Sequence, residues 1–332
     1  MCEPGTWTLR VACAVVLFLS GFTLIPFALA QQYLGTGGIA LASPVVTSLD
    51  EPNFSINKQV DEVNLVFTVT DSRRRLLRNL SSADFQLLDN HRPPDKIRYF
   101  QQQSSLPLQI ALLIDASSSI TGRFGFEKKA ASIFLKEIVR PGVDQAFLVA
   151  FNSEIHLLRD FTDDVAALQE SLSILKPGGN TALYDAIVFA ADKLRSHPDA
   201  SVTRRVIVLI SDGEDTKHHA ILYDAEQAAM QADSILFVLS TNTIRHNSEH
   251  PHGEAVLDIL SRATGGNILP ARENSEINSA FRSIEKSLRS QYVLGYTPAE
   301  FKADGSFHTI EIVPRKSRLK VQCRRGYYAI HR

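Results

Sequence analysis

Three apolar runs constrain this chain most: "LQIALLI" at residues 108–114, "RVIVLIS" at 205–211 and "SILFVLS" at 234–240. None alternates polar with apolar, so none can turn one face to water. Each is too short to cross a bilayer as a helix. Segments of helical period lie between and after them. "FEKKAASIFLKEIV" places Phe126, Ala130, Ile133, Phe134 and Ile138 near one face, and "VAALQESLSIL", "ALYDAIVFAADKLRS", "YDAEQAAMQAD", "EAVLDILSRAT" and "EINSAFRSIEKSLRS" read the same way. "QAFLVAF" and "IHLLRDF" read as further strands. Continuous apolar strands alternating with helices predict a doubly wound, mostly parallel sheet covered on both faces, over residues 106–290.

The flanks have a different rhythm. Residues 59–105 begin with "VNLVFTVT", where Val63, Leu65, Phe67 and Val69 alternate onto one face. "FQLLDN" and "KIRYFQ" follow on either side of a proline turn, "HRPPD", and are expected to complete a small antiparallel unit. Residues 291–332 return to strand patterns in "QYVLGYTP", "FHTIEIV" and "LKVQCRRGYYAI". Neither flank has enough strands to bury a core alone. They are expected to pair as one small β-sandwich, with the α/β domain inserted between its halves.

The first thirty residues carry "VACAVVLFLSGFTLIPFALA", preceded by Arg10 and ending in Ala28-Leu29-Ala30. A short basic region, an apolar core and a small-x-small site spell a signal peptide; its length also suits an uncleaved membrane anchor. Either way the rest of the chain is exported, to the periplasm or beyond. Residues 31–58 read as a linker. Cys2 and Cys13 fall in the export segment, which leaves Cys323 alone and no internal disulfide. That pattern suits a bacterial envelope, and Cys323 reads as a small buried hydrophobe. A formal net charge of -1 shows no basic excess of the kind a nucleic-acid partner needs, and leaves membrane contact to the N-terminal segment.

The first core strand stops at an aspartate followed by three serines, "DASSS". In an open parallel sheet, ligands bind beyond the carboxyl ends of the strands. Asp115, Ser117 and Ser119 sit there. So does Asp212, just past "RVIVLI", and Thr181 lies in the Gly-rich turn "KPGGNTALYDA". Two carboxylates and three hydroxyls from separate loops suit a hard divalent cation, Mg²⁺ or equally Mn²⁺ or Ca²⁺, with one position open for an incoming carboxylate. Taken singly, these residues are ordinary helix caps and turn formers; the full set is what points to a metal. Asp185, one helical turn after Thr181, is a candidate to hold a metal-bound water or the Ser117 loop. Glu214 and Asp215 are candidate rim charges.

This constellation resembles the von Willebrand factor type A domain with its metal-ion-dependent adhesion site. The family pattern is Asp-x-Ser-x-Ser, then Thr, then Asp, matched here by Asp115, Ser117, Ser119, Thr181 and Asp212. The flanks resemble bacterial, acidobacterial-type exported proteins of the same family, through the strand leading to Thr70-Asp71 and through "RRGYYA" at 324–329. The resemblance implies a metal-dependent protein-binding or adhesion module of the envelope, whose partner is a protein offering a carboxylate. In relatives, movement of the last helix, here about Glu276 to Ser290, couples to ligand affinity.

A hydrolase is disfavoured: there is no Gly-x-Ser-x-Gly elbow, no second metal cluster and no general base with a defined partner. A scaffold with a purely structural metal is the other reading. His218, His219, His246, His250 and His252 are irregularly spaced and read as polar loops rather than a zinc site. "DSRRRLLRN" reads as a hairpin turn with solvated arginines.

Overall fold

The computed structural model describes residues 62–197, 203–217, 219–241 and 251–330. The export segment, the linker and His218, His246 and His250 lie outside them. Among the described residues no helix is long and apolar enough to cross a membrane.

Three strands open the ordered chain: β1 (Val63–Thr70), β2 (Phe85–Asp89) and β3 (Lys96–Gln103). The α/β body follows as β4 (Leu108–Asp115), α1 (Phe124–Ile138), β5 (Gln145–Phe151), β6 (Ile155–Thr162), α2 (Val165–Ser173), α3 (Leu183–Ser196), β7 (Arg204–Ser211), α4 (Leu222–Gln231), β8 (Ser234–Ser240), α5 (Pro251–Ala263), β9 (Ile268–Pro270) and α6 (Asn274–Leu288). Strands β10 (Gln291–Thr297), β11 (Phe307–Pro314), β12 (Lys320–Cys323) and β13 (Gly326–Tyr328) close it.

Six strands form the main sheet in the order β6-β5-β4-β7-β8-β9, parallel except for β6 at one edge. This is the fold class the apolar runs predict. Every residue of β4 is buried. Ile110, Leu112 and Ile114 point into one core layer, where Phe134 of α1 stacks on Phe281 of α6 with ring centroids 4.5 Å apart. Ala111 and Leu113 point into the other, against Leu183 and Ile187 of α3 and Leu257 of α5. A strand packed on both faces has no use for alternation, which is why the sequence shows none. In β4, β7 and β8 the polar residues stand near the strand ends, and helix starts carry others. Asp164, for example, caps α2 by accepting from the amides of Ala166 and Ala167.

The flanking strands form two antiparallel sheets, β12-β1-β10-β3 and β13-β11-β2. Leu65 of β1 pairs with Leu294 of β10, and Phe67 pairs with Cys323 of β12. Their inward faces share one apolar cluster of Leu65, Phe67, Val69, Phe85, Tyr292, Leu294 and Ile310. Cys323 packs against this cluster, and burial pushes its thiol up to about 11, so the side chain serves as apolar filling.

One local expectation fails. β2 and β3 do not pair with each other through the proline turn; β2 joins β11 and β3 joins β10. Asn90 and His91 both take positive φ, and a single Asp89–Arg92 bridge is all that remains of the hairpin. β2, with Phe85 and Leu87 buried, edges one sheet, and the largely polar β3 edges the other.

A polar node holds the two small sheets together. Buried Asp89 accepts from the Tyr296 hydroxyl at 2.7 Å and the Tyr327 hydroxyl at 2.9 Å, and lies 3.0 Å from His308 Nδ1. These partners come from β10, β13 and β11. Breaking a buried, hydrogen-bonded charge cluster by removing one member typically costs about 3–5 kcal/mol. Asp89→Ala is therefore expected to lower stability by about 3 kcal/mol in denaturant unfolding, and a loss below about 0.5 kcal/mol would show that the node does not hold the sandwich.

Candidate metal centre

Asp115 is the last residue of β4 and is wholly buried. Among the described residues no salt bridge reaches it. Oδ1 accepts from the Ser117 amide at 2.9 Å, and Oδ2 accepts from the Ser211 hydroxyl at 2.9 Å. The Ser117 hydroxyl lies 3.0 Å from that of Ser119, and Ser119 donates to Asp212 Oδ2 at 3.1 Å. Asp115, Ser117, Ser119 and Asp212 thus form one continuous polar chain across the carboxyl edge of β4 and β7.

Backbone hydrogen bonds fix the loops that carry them. The Ser118 amide donates to Gly179 O at 3.0 Å, and the Gly178 amide to Ala116 O at 2.8 Å. The Gly-rich turn is therefore stitched to the serine loop. Thr181, 3% exposed, joins the Asp212 loop through its backbone: its carbonyl accepts from the amides of Thr216 and Lys217, and its amide donates to the Thr216 hydroxyl. Directly after Asp212, Gly213 has φ +85°, and a Cβ there would sit 2.5 Å from Gly253 O. Only glycine turns the chain here without collision.

The three acidic residues expected around the site have structural partners. Asp185 accepts from the amides of His219 and Ala220, so it anchors the loop after Asp212 and not the Ser117 loop. Asp215 accepts from the Leu183 amide at 2.7 Å, which caps α3. The Glu214 amide donates to Asp212 Oδ1 at 3.2 Å.

Two further residues belong to the neighbourhood. Ser211 orients Asp115 and accepts from the Gly213 amide at 3.1 Å. It stands beside Asp212, and its position at the strand end was the available signal. Glu127, in the first turn of α1, is wholly buried, and among the described residues neither carboxylate oxygen has a well-formed hydrogen bond, with the Thr241 side chain alongside. Within "FEKKAAS" it looks like one more surface charge; its helical phase with Ala130, Ala131 and Phe134 places it inside.

The electrostatics follow from burial. Loss of solvent, reinforced by the charge on Asp212, pushes Asp115 up to about 6 despite its hydrogen bonds. Burial, with Asp115 and Asp212 adding to it, pushes Glu127 up to about 8. A divalent cation would relieve both. The donor set is carboxylate and hydroxyl oxygen only, the chemistry of Mg²⁺, Mn²⁺ or Ca²⁺ and not of zinc. Among the described residues no group of three or more His, Cys, Asp or Glu side chains is arranged to hold a metal. Asp115, Ser117, Ser119, Thr181 and Asp212 are the residues that would hold the ion.

Residues 110–214 match the family model for the von Willebrand factor type A domain. The α/β body is a von Willebrand factor type A domain. Similar solved structures include the von Willebrand factor type A protein from Catenulispora acidiphila, at 11% identity over 84% of this chain and 76% of that one, TM-score 0.46. The conserved hypothetical protein BatB from Bacteroides thetaiotaomicron is 18% identical over 55% of this chain and all of its own, TM-score 0.45. Manganese-loaded TRAP from Plasmodium vivax is 13% identical over 68% of this chain and 96% of its own, TM-score 0.45. No curated protein sequence matches the chain.

Glu127 gives this type A domain a predictable pH response. With its folded value raised from 4.5 to about 8, the folded state holds a proton that the unfolded state has released. Stability therefore falls as pH rises through that window. In chelator, the melting temperature is expected to fall by several degrees from about pH 5 to about pH 8. Glu127→Gln should flatten that fall; an unchanged slope in the variant would show that Glu127 is not the group responsible.

Proposed function

We propose that the chain is a divalent-metal-dependent protein-binding module of the cell envelope, which captures an acidic group of a partner through an ion held by Asp115, Ser117, Ser119, Thr181 and Asp212. The observation that carries this reading is the continuous polar chain from buried Asp115 through Ser117 and Ser119 to Asp212. Two of its members are carboxylates, and burial together with the charge of Asp212 raises Asp115, which a bound cation would offset.

The ion, Mg²⁺ or in its place Mn²⁺ or Ca²⁺, would act as a Lewis acid toward an incoming carboxylate. The protein's share is placement. Ser211 and the Ser117 amide hold Asp115 in one orientation, the Gly178–Gly179 turn fixes the serine loop, and Asp215 ties the Asp212 loop to the start of α3. Hydroxyl donors carry no charge, so an ion held mainly by them retains more attraction for an external anion. No covalent step is proposed, and the module is not an enzyme on this reading. The sequence of residues 1–30 supports export, by a cleaved signal or an uncleaved anchor, and hence a periplasmic or secreted protein.

Calorimetric titration of the exported chain with Mn²⁺ and Mg²⁺ tests the reading. The wild type is expected to bind one equivalent, and Asp115→Ala and Asp212→Ala are each expected to lower affinity by at least about a hundredfold, the scale lost with a charged ligand group. Both variants should still fold, since removing a buried, unneutralised carboxylate takes away a desolvation cost. Wild-type affinity in both variants would refute the site. Metal that raises stability yet leaves capture of carboxylate-bearing partners unchanged would favour the scaffold reading.

A further inference from the structure

The arginine-rich turn of residues 71–79 does not simply point into solvent. It faces α6 across a groove of about 670 Å³, lined by Arg74, Arg75 and Arg78 on one side and by Arg282 and Lys286 on the other, with serine hydroxyls between them. None of the side chains lining it is acidic. Arg75 is neutralised by Asp71 at 2.8 Å, and among the described residues no carboxylate pairs with Arg74, Arg78, Arg282 or Lys286. Four uncompensated cations converge here in a chain whose net charge is -1.

The turn is built to hold them. Asp71 Oδ1 accepts from the amides of Arg73 and Arg75, its carbonyl accepts from the Arg74 amide, and its own amide donates to Arg75 O. Arg74 sits at φ +59°, a conformation that favours glycine or asparagine, yet an arginine occupies it. Arg78 is fixed by two hydrogen bonds to the Ser290 hydroxyl. On α6, Ser279, Arg282, Ser283 and Lys286 fall at helical spacing on the exposed face, while Ile277, Phe281, Ile284 and Leu288 fill the core.

We propose that this groove is a binding site for a soluble oligoanion bearing two or more phosphate-type groups. Guanidinium forks match tetrahedral oxyanions with paired hydrogen bonds, and Ser279 and Ser283 offer neutral hydroxyls beside them. The volume exceeds what one phosphate fills, and cations stand on both walls, so a ligand with several charges relieves more repulsion than a single ion. The groove is separate from the metal centre. Arg204, at the start of β7, donates to Leu288 O, which places the end of α6 at the amino edge of the sheet, whereas Asp115 lies at the carboxyl edge. The proposal does not depend on the metal reading.

Calorimetry with inorganic tripolyphosphate tests it on the exported chain. The wild type is expected to bind, with affinity falling by at least about tenfold between about 50 and about 200 mM salt. The triple variant R74G/R282S/K286S should weaken binding by about a hundredfold. Glycine suits the φ at position 74, and the other two sites are exposed, so melting temperature and Mn²⁺ binding should stay at wild-type values. No binding by the wild type at low salt, or equal binding by the folded variant, would overturn the proposal. Sedimentation with phosphatidylglycerol vesicles in the absence of tripolyphosphate binding would also overturn it, by assigning the groove to a membrane surface.

Discussion

Everything at the carboxyl edge of the main sheet depends on one costly placement, a wholly buried aspartate at the end of the central strand. Asp115 has hydrogen bonds but, among the described residues, no salt-bridge partner, and the neighbouring charge of Asp212 adds to the cost, while buried Glu127 is itself pushed up to about 8. Burial of an unneutralised carboxylate is unfavourable by several kcal/mol. A fold keeps such a group only when surrounding structure imposes it. Here the imposition comes from β4 itself, whose side chains divide between two cores and leave no freedom for the strand to slide or turn. The rigidity that fixes the hydrophobic layers is the same rigidity that presents the oxygens.

The small sandwich is held to the type A domain by specific contacts. Arg324 pairs with Asp233, Arg325 pairs with Glu226, and the Arg325 amide donates to Ala263 O at 3.2 Å. Gln322 donates to Gly265 O at 3.1 Å. The "RRGYYA" stretch therefore does two jobs. Its arginines clasp the domain, and Tyr327 enters the buried cluster around Asp89. The chain threads from sandwich to domain after β3 and back before β10, so two covalent crossings add to these contacts.

The fold class was legible, as was the gathering of Asp115, Ser117, Ser119 and Asp212 at one sheet edge, because each rests on strong local signals. Apolar runs without alternation admit only doubly covered strands, and such strands deliver polar residues to their ends. Pairing partners were less legible. β2 and β3 sit on either side of a turn and look like a hairpin, but the larger gain comes from distant strands, which short-range patterns cannot show. Glu127 was missed because a glutamate on a helix is ordinarily solvated; only the packing of α1 on β4 reveals where it points. Asp185 and Asp215 were placed near the right loops, but their partners are backbone amides, which sequence spacing does not display. The turn at 71–79 was read as solvated because its opposing wall lies about two hundred residues away, on α6.

The central claim is that the oxygens of Asp115, Ser117, Ser119, Thr181 and Asp212 enclose a divalent ion. A crystal of the exported chain grown with Mn²⁺, measured at a wavelength where manganese scatters anomalously, tests it most directly. The account predicts one anomalous peak within coordination distance of those residues, at roughly 2.0–2.6 Å from the nearest oxygens. Ordered loops with no peak there, or a peak elsewhere on the surface, would contradict it.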